Sequence, residues 1–502
     1  MKKNIFMGFA LCLCSLFAST VAAQGSLTID SCRSMALKHN KSVSISNERL
    51  LQAQQTRKAA FTQFLPNFNA TGAYMYNSKN ISLLAEDALL PVGSKAADGS
   101  FTMRLDQMVT AEFPNGRGGT VTLPVDANGN PFNPLTDPDK IQPKDYALLP
   151  KEAMEFDMQN VFVAGIGFTQ PIFMGGKILE MYRMAGILED IAALNDENSK
   201  INLLIQVDEA YWRVVSLQSK KKLAEEYLSL LQKTDTNVEA LFQEGFATKA
   251  DQLKVKVKLN EAEMTLTKAE NGLRLAKMLL NQICGMPLEQ DYELEETAET
   301  DLSEVSLENG IASQVIQRPE AQMLELKVQM AKSEVNIARS RFMPNIVASG
   351  NYIVSNPNVF NGFENKFSGY FSVGVGITVP IFHWGERFHT LSSAKHAYNI
   401  AQMERDEVLE KLELQANMTQ FKRNESFKQS VLAKNNLENA EENLRYAELS
   451  FKEGVISTSD LMEAQTAWVS AKSENIDAEI NTMLTKLYLE QSLGKIKRKF
   501  NS

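Results

Sequence analysis

The chain has 502 residues, 44% of them hydrophobic and 23% charged, with a formal net charge of −9. That length exceeds what one ordinary core serves, so several domains or an elongated molecule is predicted. The acidic balance argues against nucleic acid as a partner.

The chain opens MKKNIFMGFALCLCSLFASTVAA. Lys2 and Lys3 precede an apolar run from Ile5 to Ala18, and Val21-Ala22-Ala23 offers a small-residue cleavage site. Residues 1–23 therefore read as a secretory signal peptide, with the mature chain starting near Gln24. Cys12 and Cys14 are ordinary members of the apolar run, since small residues do not precede them. Losing Lys2 and Lys3 takes the net charge from −9 to −11. After the leader no segment has about eighteen consecutive apolar residues, so a spanning helix is not expected. Membrane insertion would require a closed β-barrel. Cys32 and Cys284 remain, enough for one disulfide or for two buried thiols.

A short helix is predicted over about 40–63, and a strand from Pro66 with Tyr74 and Tyr76 as aromatic contributors. The stretch of about 80–158 then reads as an elaborated loop, because residues 91–150 hold eight of the fifteen prolines. A second strand, 161–170, alternates Phe162, Ile166 and Phe168 with Gly165, Gly167 and Thr169. Pro171 cannot donate to a ladder and is placed where the sheet ends, with glycines turning the chain into a helix. No proline occurs from Gly176 to Gly245, which predicts one very long helix. The next helix carries a heptad seam: Val255, Leu259, Ala262, Leu266, Ala269, Leu273, Ala276, Leu280 and Ile283. An acidic linker over 285–310 follows.

The same order then recurs. Pro380 follows Pro171 by 209 residues, and the same offset superimposes Gly176 on Gly385, Gly245 on Gly454 and Asp251 on Asp460. Upstream an offset of 278 matches Phe64-Leu65-Pro66-Asn67 to Phe342-Met343-Pro344-Asn345. The chain is thus an internal tandem duplication, 24–284 and 311–502, with a 69-residue insertion in the first copy. In the second copy a helix over 319–342 precedes the strands, and 367–379 alternates Phe371, Val373, Val375 and Ile377 with Ser372, Gly374, Gly376 and Thr378. Pro380 marks the equivalent rim. Leu437, Ala440, Leu444, Ala447 and Phe451 form one further seam, and Leu461, Ala464, Trp468 and Ala471 another. Runs of about ten residues suit tilted membrane strands, apolar side to lipid and small or polar side to a lumen. A soluble sandwich burying the apolar face would write the same alternation. Four strands cannot close a barrel, so a membrane reading requires several copies.

Two turns end the long helices, EGFATKAD (244–251) and EGVISTSD (453–460). Gly245 and Gly454 suit a left-handed position after a helix, and Thr248 and Ser457 suit N-caps. Asp251 and Asp460 stand where a capping box needs an acid, which by itself accounts for both. Alternatively Asp251, Asp460 and Glu463 face the narrow end of a tube and form charged rings that favour cations. Glu463 has no capping duty and could equally be a solvated surface residue.

The duplicated F-x-P-N strand starts, the P-I-F strand ends and the paired E-G-x-x-[ST]-x-x-D turns resemble the TolC-like outer-membrane efflux protein family. Leu279 to Gly285 (LLNQICG) and Gln317-Arg318-Pro319-Glu320 add to the likeness, which covers essentially the mature chain. The resemblance implies an α+β membrane protein. Four transmembrane strands per chain would complete a trimeric twelve-stranded barrel, continued by a coiled-coil α-helical barrel. It implies an exit duct in the outer membrane of a Gram-negative bacterium, extending into the periplasm. Its partners would be outer-membrane lipid, a periplasmic adaptor and an inner-membrane RND or ABC transporter. It matches Asp460 and Glu463 to constriction acids and Asp251 to an acid of the other turn. Adaptor docking would use the tips around Gly245, Thr248, Gly454 and Ser457. Phe451 and Ile456 stand where TolC has a Tyr and an Arg of its closing network, so the polar lock at those positions is absent here.

An enzyme is not expected. His39, His383, His389 and His396 are few, and no HExxH, CxxC or phosphate-loop pattern occurs. No cofactor or metal is expected. The competing reading is a coiled-coil structural or adhesive surface protein, which leaves two matched strand pairs without a role. A periplasmic adaptor would have one helical hairpin, whereas this chain has two.

Overall fold

The computed structural model describes residues 27–294 and 310–496. The signal peptide and residues 295–309 of the acidic linker lie outside the described residues. Two compact units form, one drawn from residues up to Thr62, Gly175–Met343 and Pro380 onward, the other from Gln63–Met174 and Pro344–Val379. They cut across the sequence duplication, because each copy contributes to both.

The first unit is helical: α1 (Ile29–His39), α2 (Lys41–Thr62), α3 (Lys177–Gln243), α4 (Lys249–Cys284), α5 (Ile311–Val315), α6 (Pro319–Ser340), α7 (Glu386–Lys452) and α8 (Thr458–Ser492). α3 and α7 have 67 residues each, about 100 Å at the usual rise. Each pairs with the helix that follows it, α3 with α4 and α7 with α8. The seam of α4 behaves as its period requires: all nine seam residues are buried or half-buried, while Leu253, Val257, Met264 and Leu275 between them are exposed. α1 was not read from the sequence. It joins the largest core, where Cys32, Ala36, Val207, Tyr211, Val214, Leu280 and Cys284 pack together. Cys32 and Cys284 are both buried as free thiols, and Cys284 Sγ donates to the Cys32 carbonyl at 3.6 Å. The neighbouring Cys284 thiol, and then burial, push the Cys32 thiol up from its ordinary range.

The second unit holds one antiparallel sheet, β1 (Asn67–Tyr76), β2 (Asn160–Met174), β3 (Asn345–Asn356) and β4 (Ser368–Thr378), ordered β1-β2-β3-β4. The two copies meet through β2 and β3. Register decides the faces. Ala70, Ile166, Tyr352 and Phe371 form one cross-strand row, and Phe68, Phe168, Gly350 and Val373 another, on one face. Asn69, Gly167, Asn351 and Ser372 form a row on the opposite face. Gly350 makes room in its row for the Phe168 ring, whose edge would lie 2.5 Å from a Cβ there. The sheet is a single layer: every residue of β1 is exposed, and Phe371, Val373 and Ile377 of β4 are 78%, 72% and 64% exposed.

The two prolines expected at the rim differ in place, and the expectation is corrected at Pro171. Pro380 follows the end of β4 by two residues. Pro171 lies inside β2, opposite Val347, and the strand continues to Met174 past an irregularity between Pro171 and Phe173. The strand tolerates it because β1 pairs only as far as Thr169, so β2 has a neighbour on one side alone at that level. Gln170 occupies the vacated edge, its side-chain amide donating to the Phe64 and Pro171 carbonyls at 2.8 Å.

The insertion is more regular than a loop. Ile81–Ser82 pairs with Glu155–Phe156 and Ala88–Pro91 with Tyr146–Leu149, forming a ribbon beyond β1 and β2. Two further short hairpins and 3-10 turns fill the rest, around buried Met108 and Val125.

Candidate functional site

The two turns that end α3 and α7 have the same hydrogen-bond construction. Gly245 and Gly454 are left-handed, at φ +81° and +71°. The N–H of Phe246 reaches back to Leu241 O at 2.8 Å, and that of Val455 to Ser450 O at 2.8 Å. These six-to-one bonds satisfy carbonyls that a helix end leaves open. Thr248 then caps α4, its hydroxyl accepting from the Asp251 N–H at 3.2 Å, and Ser457 caps α8, accepting from Asp460 N–H at 3.3 Å.

The aspartates complete the boxes. Asp251 accepts from the Thr248 hydroxyl at 2.6 Å and its N–H at 3.1 Å. Asp460 accepts from the Ser457 hydroxyl at 2.7 Å and its N–H at 3.0 Å. Bonds from the cap hydroxyls, then from the cap backbone, hold both carboxyls below their ordinary range. Capping therefore occupies one carboxylate oxygen of each and keeps both charged. Glu463 is exposed, one turn beyond Asp460 in α8.

The turns come together as a pair. Lys254 Nζ donates to Ser459 Oγ at 3.1 Å, and Gln465 Nε2 donates to the buried Thr234 hydroxyl at 2.9 Å. A groove between them is lined by Leu241, Phe246, Asp251, Phe451, Ile456 and Leu461. Phe451 and Ile456 both line it and are half-buried. Of the three candidate acids only Asp251 lines the groove; Asp460 and Glu463 stand outside it, exposed. The sequence reading missed Lys254 and the tip side chains Phe246 and Val455, 83% and 75% exposed. The last two could have been found, because the offset of 209 superimposes them directly after the turn glycines.

Among the described residues, no group of three or more His, Cys, Asp or Glu side chains is placed to hold a metal ion. No described helix is long and apolar enough to cross a membrane.

The profile of the outer membrane efflux protein family matches residues 151–286 and 311–495. A search of curated protein sequences gives no match. Among solved structures, the fold is similar to CusC, with TM-score 0.69 and 15% identity over 93% of this chain and 91% of that one. The outer membrane channel CmeC of Campylobacter jejuni gives TM-score 0.68 and 15% identity over 93% and 85%. The MtrE outer membrane channel of Neisseria gonorrhoeae, in its open state, gives 0.66 and 16% over 93% and 88%.

Proposed function

The chain belongs to the outer membrane efflux protein family, and from that premise we infer that it is the exit duct of a tripartite efflux or type I secretion assembly. It is an outer-membrane channel of a Gram-negative bacterium, extending into the periplasm. The observation that carries the membrane role is the single-layer sheet. Its apolar face is left exposed by the described residues, and its strands of ten to fifteen residues have membrane-spanning length. Open sheet edges are not tolerated in lipid, so β4 of one copy pairs with β1 of the next. Three copies supply twelve strands.

Substrate then passes from an inner-membrane RND or ABC transporter, through a periplasmic adaptor, into the duct. The adaptor docks at the helix tips, around Gly245, Thr248, Gly454 and Ser457, where Phe246 and Val455 offer exposed apolar contact. Repeated by symmetry, Asp251, Asp460 and Glu463 ring the narrow end and favour cations. Closure relies on apolar packing of Phe451 and Ile456. A coiled-coil surface protein would have no use for an uncovered apolar sheet.

The test is the membrane fraction and the detergent-solubilised mass of the mature chain, followed by conductance in planar bilayers. Outer-membrane density, three copies per particle and cation-selective steps are expected. A water-soluble monomer or dimer without conductance would overturn the reading.

A further inference from the structure

The duplication places one backbone feature twice, in different surroundings. Gly175 and Trp384 are equivalent under the offset of 209, and both are left-handed, at φ +61° and +49°. Glycine takes that conformation freely, whereas for a bulky side chain it is an outlier that costs energy. At Gly175 a Cβ would lie 2.6 Å from Met343 Cβ and 2.8 Å from Ser340 O, so the end of α6 leaves room for no side chain. At Trp384 the side chain is 90% exposed, with Ile381 and Phe388 nearby in sequence at 86% and 68%. Its ring meets that of Phe382 edge-on at 5.0 Å. Among the described residues of one chain, nothing accounts for a strained backbone that holds an indole in solvent.

What surrounds Gly175 identifies the missing neighbour. α3 packs against both α2 and α6, while α7 packs against α6 and lacks a second flanking helix of that kind. The offset of 278 makes the end of α2 equivalent to the end of α6, with Thr62 matching Ser340 and Leu65 matching Met343. The counterpart of α6 beside α7 is therefore α2 of a second copy. β4 and β1, the open edges of the sheet, require the same succession of copies.

We propose that Trp384 is a latch between copies: its indole, backed by Phe382, packs on the end of α2 of the neighbouring copy, around Phe61 and Thr62. The inference rests on the trimeric reading. Within a chain the junction is closed by backbone against side chain, and only glycine fits. Between chains the two surfaces meet after each has folded, and a large side chain fills the wider gap. Lipid is the competing apolar surface. The equivalent position in the first copy is covered by protein, which favours the protein partner.

The test uses the detergent-solubilised full chain carrying Trp384→Cys and Thr62→Cys together. Native Cys32 and Cys284 are 0% exposed and do not compete. Mild oxidation is expected to give a dimer and trimer ladder on a denaturing gel with the double variant and with neither single variant. Trp384→Gly, which relieves the strained backbone, is expected to fold and to dissociate into monomers several degrees below the parent. A trimer of correct mass without the ladder, dissociating at the parent temperature when Trp384 is Gly, overturns the latch alone. So does quenching of Trp384 by brominated phospholipid in a chain where Trp212 and Trp468 are Phe. A monomeric particle overturns the latch and the trimeric reading together.

Discussion

Lys254 of α4 donates from Nζ to the Ser459 hydroxyl of α8 at 3.1 Å, and the same ammonium lies 3.9 Å from Asp251 Oδ1. One cation thus ties the two helical turns together and stands beside an acid of the candidate ring. Lys254→Met is expected to loosen the tips, lengthening open times and sharpening cation preference. Single-channel recordings check this; parental gating in the variant would remove the tie from the closing mechanism.

Asp460 closes the capping box of α8, and the proposed ring would give it a second duty and Glu463 its only one. Glu463→Gln is expected to weaken cation selectivity with no change in heat stability. Asp460→Asn weakens selectivity as well and also loosens the start of α8, while Ser457→Ala costs that helix about 1 kcal/mol without touching a charge. Reversal potentials under a salt gradient separate the three variants. An Asp460→Asn, Glu463→Gln channel with parental reversal potential would reduce both acids to surface and capping roles.

The depressed carboxyls of Asp251 and Asp460 fix the sign of a pH effect. A group whose folded pKa lies below its unfolded value stabilises the fold above the unfolded pKa. That contribution is lost as pH falls through the folded pKa. The capping boxes are therefore complete at neutral pH and fail below the ordinary carboxylate range. Hydrogen exchange at the starts of α4 and α8 is expected to rise there, together with loss of cation selectivity. Protection that is flat down to that range would show that the carboxylates do not hold the turns.

Arg33 of α1 grips Asp208 of α3 through two bonds, 2.7 and 2.5 Å, and the Asp208 side chain is 3% exposed. Burial is the foremost influence on Asp208 and pushes its carboxyl up, against the pull of the guanidinium. Arg33→Met leaves that acid buried without its partner and is expected to cost about 3–5 kcal/mol. Arg33→Met with Asp208→Leu is expected to recover most of it, because a buried pair replaced by apolar groups is often neutral. Urea midpoints of the solubilised protein measure both. An innocuous single variant would show the pair to be solvated in the assembly.

Pro91 pairs with Tyr146, so the chain enters and leaves the outer part of the insertion at one place. Replacing residues 92–145 with a short turn is expected to leave β1 and β2 paired, trimer mass unchanged and conductance equal or higher. Collapse of the trimer on a sizing column would make the insertion part of the assembly contact.

Local chemistry made much of this legible beforehand. Proline-free runs bounded by Gly176 and Gly245, and by Gly385 and Gly454, predicted two long helices of matching length, and α3 and α7 have 67 residues each. The heptad of α4 predicted which residues are covered. The alternation in 367–379 predicted the faces of β4. The capping boxes could be read from Thr248 and Asp251, and from Ser457 and Asp460, since their partners are three residues apart. Less legible were α1, which is only 11 residues long and whose apolar residues meet α3 and α4 far along the chain, and the insertion, whose paired segments are separated by up to about seventy residues of turn-rich sequence.

By itself, then, the sequence determined the duplication, the element lengths, the turns and the apolar stripes, because each rests on spacing along one stretch of backbone. Only the tertiary structure decided which stripes meet. It joined β2 of one copy to β3 of the other in a single uncovered sheet, and it let Pro171 sit inside a strand where one edge had already ended. It also set Lys254 against Ser459, and gave Gly175 and Trp384 the same backbone with different neighbours. Those outcomes depend on contacts between residues far apart in the chain, and periodicity carries no record of the partner.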